Sequence, residues 1–348
     1  MGAIDVQSNR PIPAIQQIKL FSPSDWEEFI EEWATSLGSR YGFHTVERCA
    51  GAGDMGRDVV AYKADPMQDP SWINFQGKHY NAPLTPSEVY IELGKLCYYT
   101  YTGEYTVPEL YYFAAPQGVG TKLSQLIKNP DSLRQALLQN WDDKCRDKIT
   151  TTQSVHLDGD FKAYVENFDF DIFRSLSAVK VVEEHSQTRW HAARFQTGLP
   201  PRGPNLEPPA AIDPSLEARY VRQLLDAYGQ CLGSACSDVE SLPTASPTHA
   251  NHLQRSREQF YSAESLRNFS RDTLPEGEYE RLQDEIHEGV LDTAEDAYPH
   301  GFQRVIATIQ FARQLQLTSH PLIHRMQSSD RAGICHQLAN EDRLTWVI

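Results

Sequence analysis

Three residues on two neighbouring segments have the types and spacing to hydrolyse a phosphodiester with help from a divalent cation. Asp58 ends the run Gly53-Asp54-Met55-Gly56-Arg57-Asp58, and Gln76 and Lys78 lie in Phe75-Gln76-Gly77-Lys78-His79-Tyr80. That chemistry needs carboxylate or amide oxygens to hold the ion, and a cation to stabilise charge on the phosphate or activate water. Residues two apart on a strand project from one face, so Gln76 and Lys78 point the same way. If the two segments pair as strands, Asp58 falls beside Gln76, and a carboxylate, an amide oxygen and an ammonium are gathered. Each residue alone has a plainer reading, Asp as turn chemistry and Lys as a solvated strand edge. Their joint order on the right elements carries the functional reading. His79 is open between a phosphate contact and a structural partner for Tyr80.

The elements that must position these residues are legible. Ser22 caps a helix with Pro23 at its first position and Asp25 completing a capping box. Trp26, Phe29, Ile30, Trp33 and Leu37 then fall on one face at helical spacing, and Gly42 follows its end. Strands are predicted over 43–49, 57–63 and 72–77, the first two joined by the glycine-rich GAGDMG. Thr85-Pro86-Ser87-Glu88 opens a second helix reaching about Tyr101, and residues 110–115 read as a buried strand. The order is α-β-β-β-α-β. The stretch 198–214, GLPPRGPNLEPPAAIDP, holds six prolines and reads as an extended, semi-rigid linker. Beyond it the pattern is helical, over 216–232, 256–269, 279–297 and 301–317, with SLPTASPTHAN as a Ser/Pro/Thr-rich loop.

Composition narrows the function classes. The 348 residues carry 47 acidic against 32 basic side chains, a net charge of −15. A protein that holds DNA constitutively by its backbone is usually basic, so the balance argues against an always-on nuclease and leaves a gated one open. No apolar run is long enough to span a bilayer, and the N-terminal MGAIDVQSNRPIPAIQQ has no basic start followed by an apolar stretch. Gly2 invites a myristoylation reading without a second anchor nearby. The six cysteines form no C-x-x-C pair, which points to reduced thiols in a cytoplasm. Cys335-His336 lacks further spaced ligands and reads as packing. GVGTKLSQLI resembles a phosphate-cradling turn at a helix start, without the spacing of a nucleotide-binding loop.

The pieces W-E-E-F-I (26–30), G-x-G-D-x-G-R-D (51–58) and F-Q-G-K-H-Y (75–80), set in the α-β-β-β-α-β order, resemble the PD-(D/E)xK nuclease superfamily in a D…QxK variant. The resemblance covers roughly residues 20–125. It implies that Asp58 ligates Mg²⁺ (with Mn²⁺ able to substitute), that Gln76 adds a side-chain oxygen in place of the usual acid, and that Lys78 is the catalytic cation. The superfamily often takes a further carboxylate from the first helix. Glu27 and Glu31 flank the apolar stripe there while Glu28 points away, so Glu27 is favoured and Glu31 is the substitute. The segments 256–272 and 330–341 resemble the C-terminal domain of bacterial ABC-three-component defence proteins. Together with E-R-C-A-G-A-G-D-M-G-R-D and E-L-G-K-L-C-Y-Y-T, similar to the endonuclease domain of cyclic-oligonucleotide-activated (CBASS) effectors, the chain resembles the nuclease subunit of Lamassu-type anti-phage systems. That implies double-stranded DNA as substrate, an SMC-like ATPase partner, a small third subunit, and activation by homo-oligomerisation with a tetramer as the active form.

The expectation is therefore an α/β restriction-endonuclease-like (αβββαβ) nuclease domain over 1–198, a proline-rich linker over 199–214, and an all-α oligomerisation or partner-binding domain over 215–348, in a bacterial cytoplasm and off the membrane. A non-enzymatic adaptor with a degenerate nuclease fold is the alternative. An effector switched by a cyclic nucleotide is the third reading, weakened by the helical C-terminal half.

Overall fold

The computed structural model describes residues 12–49 and 53–347. The leader and Gly2 readings, and Ala50, Gly51 and Ala52 of the glycine-rich loop, lie outside the described residues. The chain divides into two compact units, Met1–Trp190 and His191–Ile348. The divide falls eight residues ahead of the boundary expected at 198.

In the first unit the helix Pro23–Ser36 starts as its sequence requires. The Ser22 hydroxyl accepts the Asp25 N–H at 3.1 Å, and the Asp25 carboxylate accepts the Ser22 N–H at 3.0 Å. Its apolar stripe of Trp26, Phe29, Ile30 and Trp33 is buried. Strands β1 (Thr45–Arg48), β2 (Val59–Tyr62) and β3 (Trp72–Gly77) form an antiparallel meander. The helix Pro86–Tyr101 follows, opened by a second box in which Glu88 accepts the Thr85 N–H at 2.6 Å. It leads to β4 (Leu110–Ala114), which pairs with β3 in parallel. The α-β-β-β-α-β order is present, with strand ends trimmed by one or two residues.

A fifth strand, β5 (Phe173–Leu176), was not expected. It extends the sheet to the order β1-β2-β3-β4-β5, parallel to β4. Four residues without clear alternation gave no period-2 signal; burial of Phe173 against Tyr111 and Phe113 recruits them.

The register decides which side chains share a face. Val59 lies opposite Phe75, so Asp58 comes opposite Gln76. Asn74 and Gln76 sit beside Tyr111 and Phe113 of β4. Tyr111 and Phe113 pack in one apolar cluster with Val89, Leu93 and Leu96 of the Pro86–Tyr101 helix. On the opposite face Phe75 meets Trp33 of the first helix, ring centroids 5.4 Å apart. The sheet is thus covered on both sides, and its central strands β2 and β3 are buried along most of their length.

The second unit is helical: Ala218–Leu232, Pro247–Thr273, Glu278–Glu295, Gly301–Gln314 and Asp330–Asn340 are its longer helices. The stretch SLPTASPTHAN is not a loop. Leu242–Ala245 is a helical turn, and Pro247 opens a 27-residue helix. Proline is tolerated in the first helical turn, where its missing N–H would be unpaired anyway, so a proline marking a helix start was misread as a break. The Asp330–Asn340 helix is buried along nearly its whole length. It approaches the Pro247–Thr273 helix so closely that a Cβ at Gly333 would lie 2.0 Å from the Gln259 carbonyl oxygen.

The proline-rich segment forms no regular element, as its composition demands, yet it is no free spacer. Arg202 pairs with buried Asp330 at 2.6 Å, Asn205 donates to the Ser262 hydroxyl at 3.0 Å, and the Leu206 N–H donates to Ser265 at 2.7 Å. Arg257 reaches the Pro209 and Ala211 carbonyls. Polar residues between the prolines strap this segment onto the helices of the second unit.

Candidate active site

Asp58, Gln76 and Lys78 are brought together. Asp58 sits one residue ahead of β2, where Asp54 has already turned the chain. The Asp54 carboxylate accepts the Gly56 N–H at 2.9 Å, and Gly56 takes φ +85°, a left-handed conformation natural to glycine. Asp54 is therefore turn chemistry. The Asp58 carboxylate is buried and accepts the Gln76 Nε2–H at 2.6 Å.

Gln76 does not offer its oxygen to the cluster in this arrangement. Its Oε1 accepts the hydroxyl of fully buried Tyr111 at 2.7 Å, leaving the amide nitrogen toward Asp58. The two ends of an amide exchange by a half-turn, so oxygen ligation requires Gln76 to rotate and Tyr111 to find another acceptor. Gly56 O, 3.3 Å from the same hydroxyl, is that acceptor.

Lys78 does not stand free. Its Nζ pairs with Glu92 Oε1 at 2.8 Å, and Lys95 approaches the other Glu92 oxygen at 3.4 Å. Glu92, 4% exposed on the Pro86–Tyr101 helix, is a site residue the sequence reading assigned no role. The signal was Glu92 and Lys95 three apart in a helix, which alone looks like surface pairing. Tyr111 was missed for a similar reason, because a tyrosine in an apolar strand reads as core.

Glu27 arrives from the other side of the sheet, through the gap left by Gly77. A Cβ there would lie 3.2 Å from Glu27 Cγ, 3.4 Å from Trp26 Cδ1 and 3.5 Å from Asp58 Oδ2. The space a side chain would fill there is bordered by the Glu27 side chain and the Asp58 carboxylate. Glu31 does not join them; it pairs with Arg48 at 3.8 Å. His79 bonds the Ile18 carbonyl at 2.9 Å and packs edge-on against Trp26, while Tyr80 is exposed. The contact joins His79 to the short helical turn Ile18–Leu20 ahead of the Pro23–Ser36 helix.

The electrostatics follow from burial and crowding. Asp58 is pushed up to about 7, first by burial, with Glu27 and Glu92 adding repulsion against the pull of Lys78 and the Gly77 N–H. Burial also raises Glu27, against the attraction of Arg48 and Lys78. For Lys78 burial favours the neutral amine, but Glu92 and Asp58 outweigh it and the net direction is upward, so its ammonium persists. Carboxylate oxygens are the donors a divalent cation takes, and Asp58 and Glu27 are the two carboxylates of this cluster, but among the described residues no group of three or more His, Cys, Asp or Glu side chains is placed to hold a metal ion. Gln76 could add an oxygen only after its amide turns.

Two glycine amides of the GVGTKLSQLI turn bond within the fold. The Gly120 N–H donates to the Leu84 carbonyl at 2.8 Å, and the Gly118 N–H to Ala115 at 2.9 Å. The helix it opens, Thr121–Ile127, has seven residues. In the second unit Cys335 and His336 are both fully buried in the helical core, His336 against Tyr220 and Trp346. Among the described residues no helix is long and apolar enough to cross a membrane.

Residues 217–346 match the family model of C-terminal domain 6 of the ABC-three component (ABC-3C) systems, where the segments 256–272 and 330–341 had pointed. This supports membership of the chain in such a multi-component defence system. Neither a curated protein nor a solved structure matches it.

Proposed function

We propose that the first unit is a divalent-cation-dependent DNA endonuclease of the PD-(D/E)xK type, and that the chain is the nuclease effector of an ABC-three-component anti-phage system of the Lamassu kind. The observation carrying this reading is the convergence of Asp58, Gln76 and Lys78 at one end of β2 and β3, with Glu27 entering beside Gly77. Asp58 and Glu27 would hold Mg²⁺ or Mn²⁺. When bound, the ion supplies Lewis acidity toward a phosphate oxygen and a more acidic water.

The chain's own residues do the rest. Lys78, kept charged by Glu92, stabilises the negative charge that grows on the scissile phosphate. Glu92 holds that ammonium in place between turnovers. Gln76, backed by Tyr111, fixes the Asp58 carboxylate. Trp26, whose Nε1–H donates to the Ala114 carbonyl at 3.0 Å, anchors the helix turn that carries Glu27. One such site cuts one strand, so a double-strand break needs two sites brought together. Oligomerisation is then a natural switch, and SMC-like and small third subunits would hold the acidic chain idle until release.

A catalytically degenerate adaptor is the second reading, favoured by one observation: Gln76 presents nitrogen, not oxygen, to Asp58. The two separate on supercoiled plasmid. The full chain, fractionated by mass, is assayed with Mg²⁺ or with EDTA. We expect nicking and linearisation with Mg²⁺ in an oligomeric fraction, and Lys78→Ala to lower the rate by at least about 10²-fold without unfolding the protein. Absence of Mg²⁺-dependent cutting in every fraction, or full activity in the variant, defeats the nuclease reading.

A further inference from the structure

Between the Pro247–Thr273 and Gly301–Gln314 helices of the second unit lies a cavity of about 360 Å³. That volume is in the range of small-ligand sites. Its lining includes Arg255, Gln259 and His252 from the first helix and Arg313, Gln310 and Ile309 from the second. Ile309 is buried and apolar, while the two arginines and Gln310 are exposed around it.

The two arginines have no acidic side chain paired with them among the described residues. Elsewhere in this unit Arg202 pairs with Asp330 at 2.6 Å, Arg257 with Glu217 at 2.7 Å, and Arg267 with Glu264 at 3.0 Å. Arg255 and Arg313 have no carboxylate partner among the described residues. In a chain of net charge −15, two unpaired guanidiniums facing one cavity form a local reversal of sign. His252 adds a donor. It is buried, with Nδ1 2.7 Å from the Tyr228 hydroxyl and 3.4 Å from that of Ser256. In the tautomer in which these hydroxyls donate to Nδ1, the neutral ring carries its proton on Nε2, which has no hydrogen-bond partner among the described residues. Burial, Arg255, His249 and Arg313 hold this ring down to about 4, so it is a neutral donor at pH 7.

We propose that this cavity binds a small phosphate ester of mononucleotide size. Guanidinium forks match phosphate oxygens in pairs, and Arg255 and Arg313 reach from opposite walls to neutralise a dianion. His252 Nε2–H and the Gln259 and Gln310 amides satisfy remaining oxygens, and Ile309 receives the apolar face of the esterified group. The site is independent of the Asp58 cluster and of the nuclease reading.

Calorimetric titration of the full chain tests it with pyrophosphate, adenosine 5′-monophosphate, adenosine and a short DNA duplex. Saturable binding of pyrophosphate and the monophosphate is expected, with adenosine at least tenfold weaker. The Arg255→Gln/Arg313→Gln variant should bind the phosphate probes at least tenfold more weakly with an unchanged melting temperature, because both side chains are exposed and unpaired. No saturable binding of either phosphate probe, undiminished binding in the variant, or binding of the duplex alone overturns the proposal.

Discussion

Replacing Asp58 by asparagine should stabilise the first unit, and by an amount that grows with pH. Asp58 ionises at about 7 in the fold against an ordinary 3.8. A carboxyl raised in this way contributes stability that is fully present below the unfolded value and is lost as pH rises through the folded one. Relative to low pH, linkage puts the stability lost through this raised carboxyl at about 1.7 kcal/mol at pH 5, where only the unfolded chain ionises it, and about 4 kcal/mol at pH 8, at 1.36 kcal/mol per pH unit. These are ceilings, since a relaxing fold admits water to the charge. Asparagine keeps the shape and an acceptor for Gln76 Nε2 but removes the charge, so the stability gap between variant and parent should widen by up to about 2.5 kcal/mol from pH 5 to pH 8. Urea unfolding in EDTA reads this through tryptophan fluorescence, because Trp26, Trp33, Trp72, Trp141 and Trp190 all lie in the first unit and only Trp346 in the second. Adding Mg²⁺ at pH 8 should stabilise the parent and leave the variant unmoved. A gap that stays constant between pH 5 and pH 8 would show that the Asp58 carboxyl is not raised by its surroundings.

Further outcomes follow from the same geometry. Glu92→Leu leaves Lys78 buried without its partner and should cost about 3 kcal/mol, whereas Glu92→Gln, which still accepts from Nζ, should cost less than half of that in urea unfolding. Gly77→Ala places a methyl 3.2 Å from Glu27 Cγ. It should weaken Mg²⁺ binding by about tenfold in calorimetry while the melting temperature moves by only a few degrees. Gly333→Ala drives a methyl into the Gln259 carbonyl. It should lower the melting temperature of the second unit by more than about 8 °C, followed by Trp346 in a variant whose other tryptophans are phenylalanine.

Local chemistry written in the sequence determined the parts of this protein that depend on near neighbours. Ser22 with Asp25 and Thr85 with Glu88 start two helices because capping involves residues three apart. The alternation of β3 places Gln76 and Lys78 together because a strand turns its side chains every second residue. The charge of −15 and the proline run are composition and need no fold to be read. The pattern over 256–269 announced a helix, yet not its full extent, because Pro247 at a helix start and Pro247 in a loop look alike until the preceding residues are placed.

Tertiary structure alone decided everything that required two distant segments to meet. That Glu92 neutralises Lys78, that Tyr111 turns the Gln76 amide, and that Glu27 and Asp58 border the space beside Gly77 are consequences of strand register and helix docking, which no spacing of residues encodes. The same holds for β5, for the strapping of the proline segment by Arg202 and Arg257, and for the unpaired Arg255 and Arg313 of the second unit. Side-chain type is a property of one position, but burial, partner and protonation state belong to the space between positions.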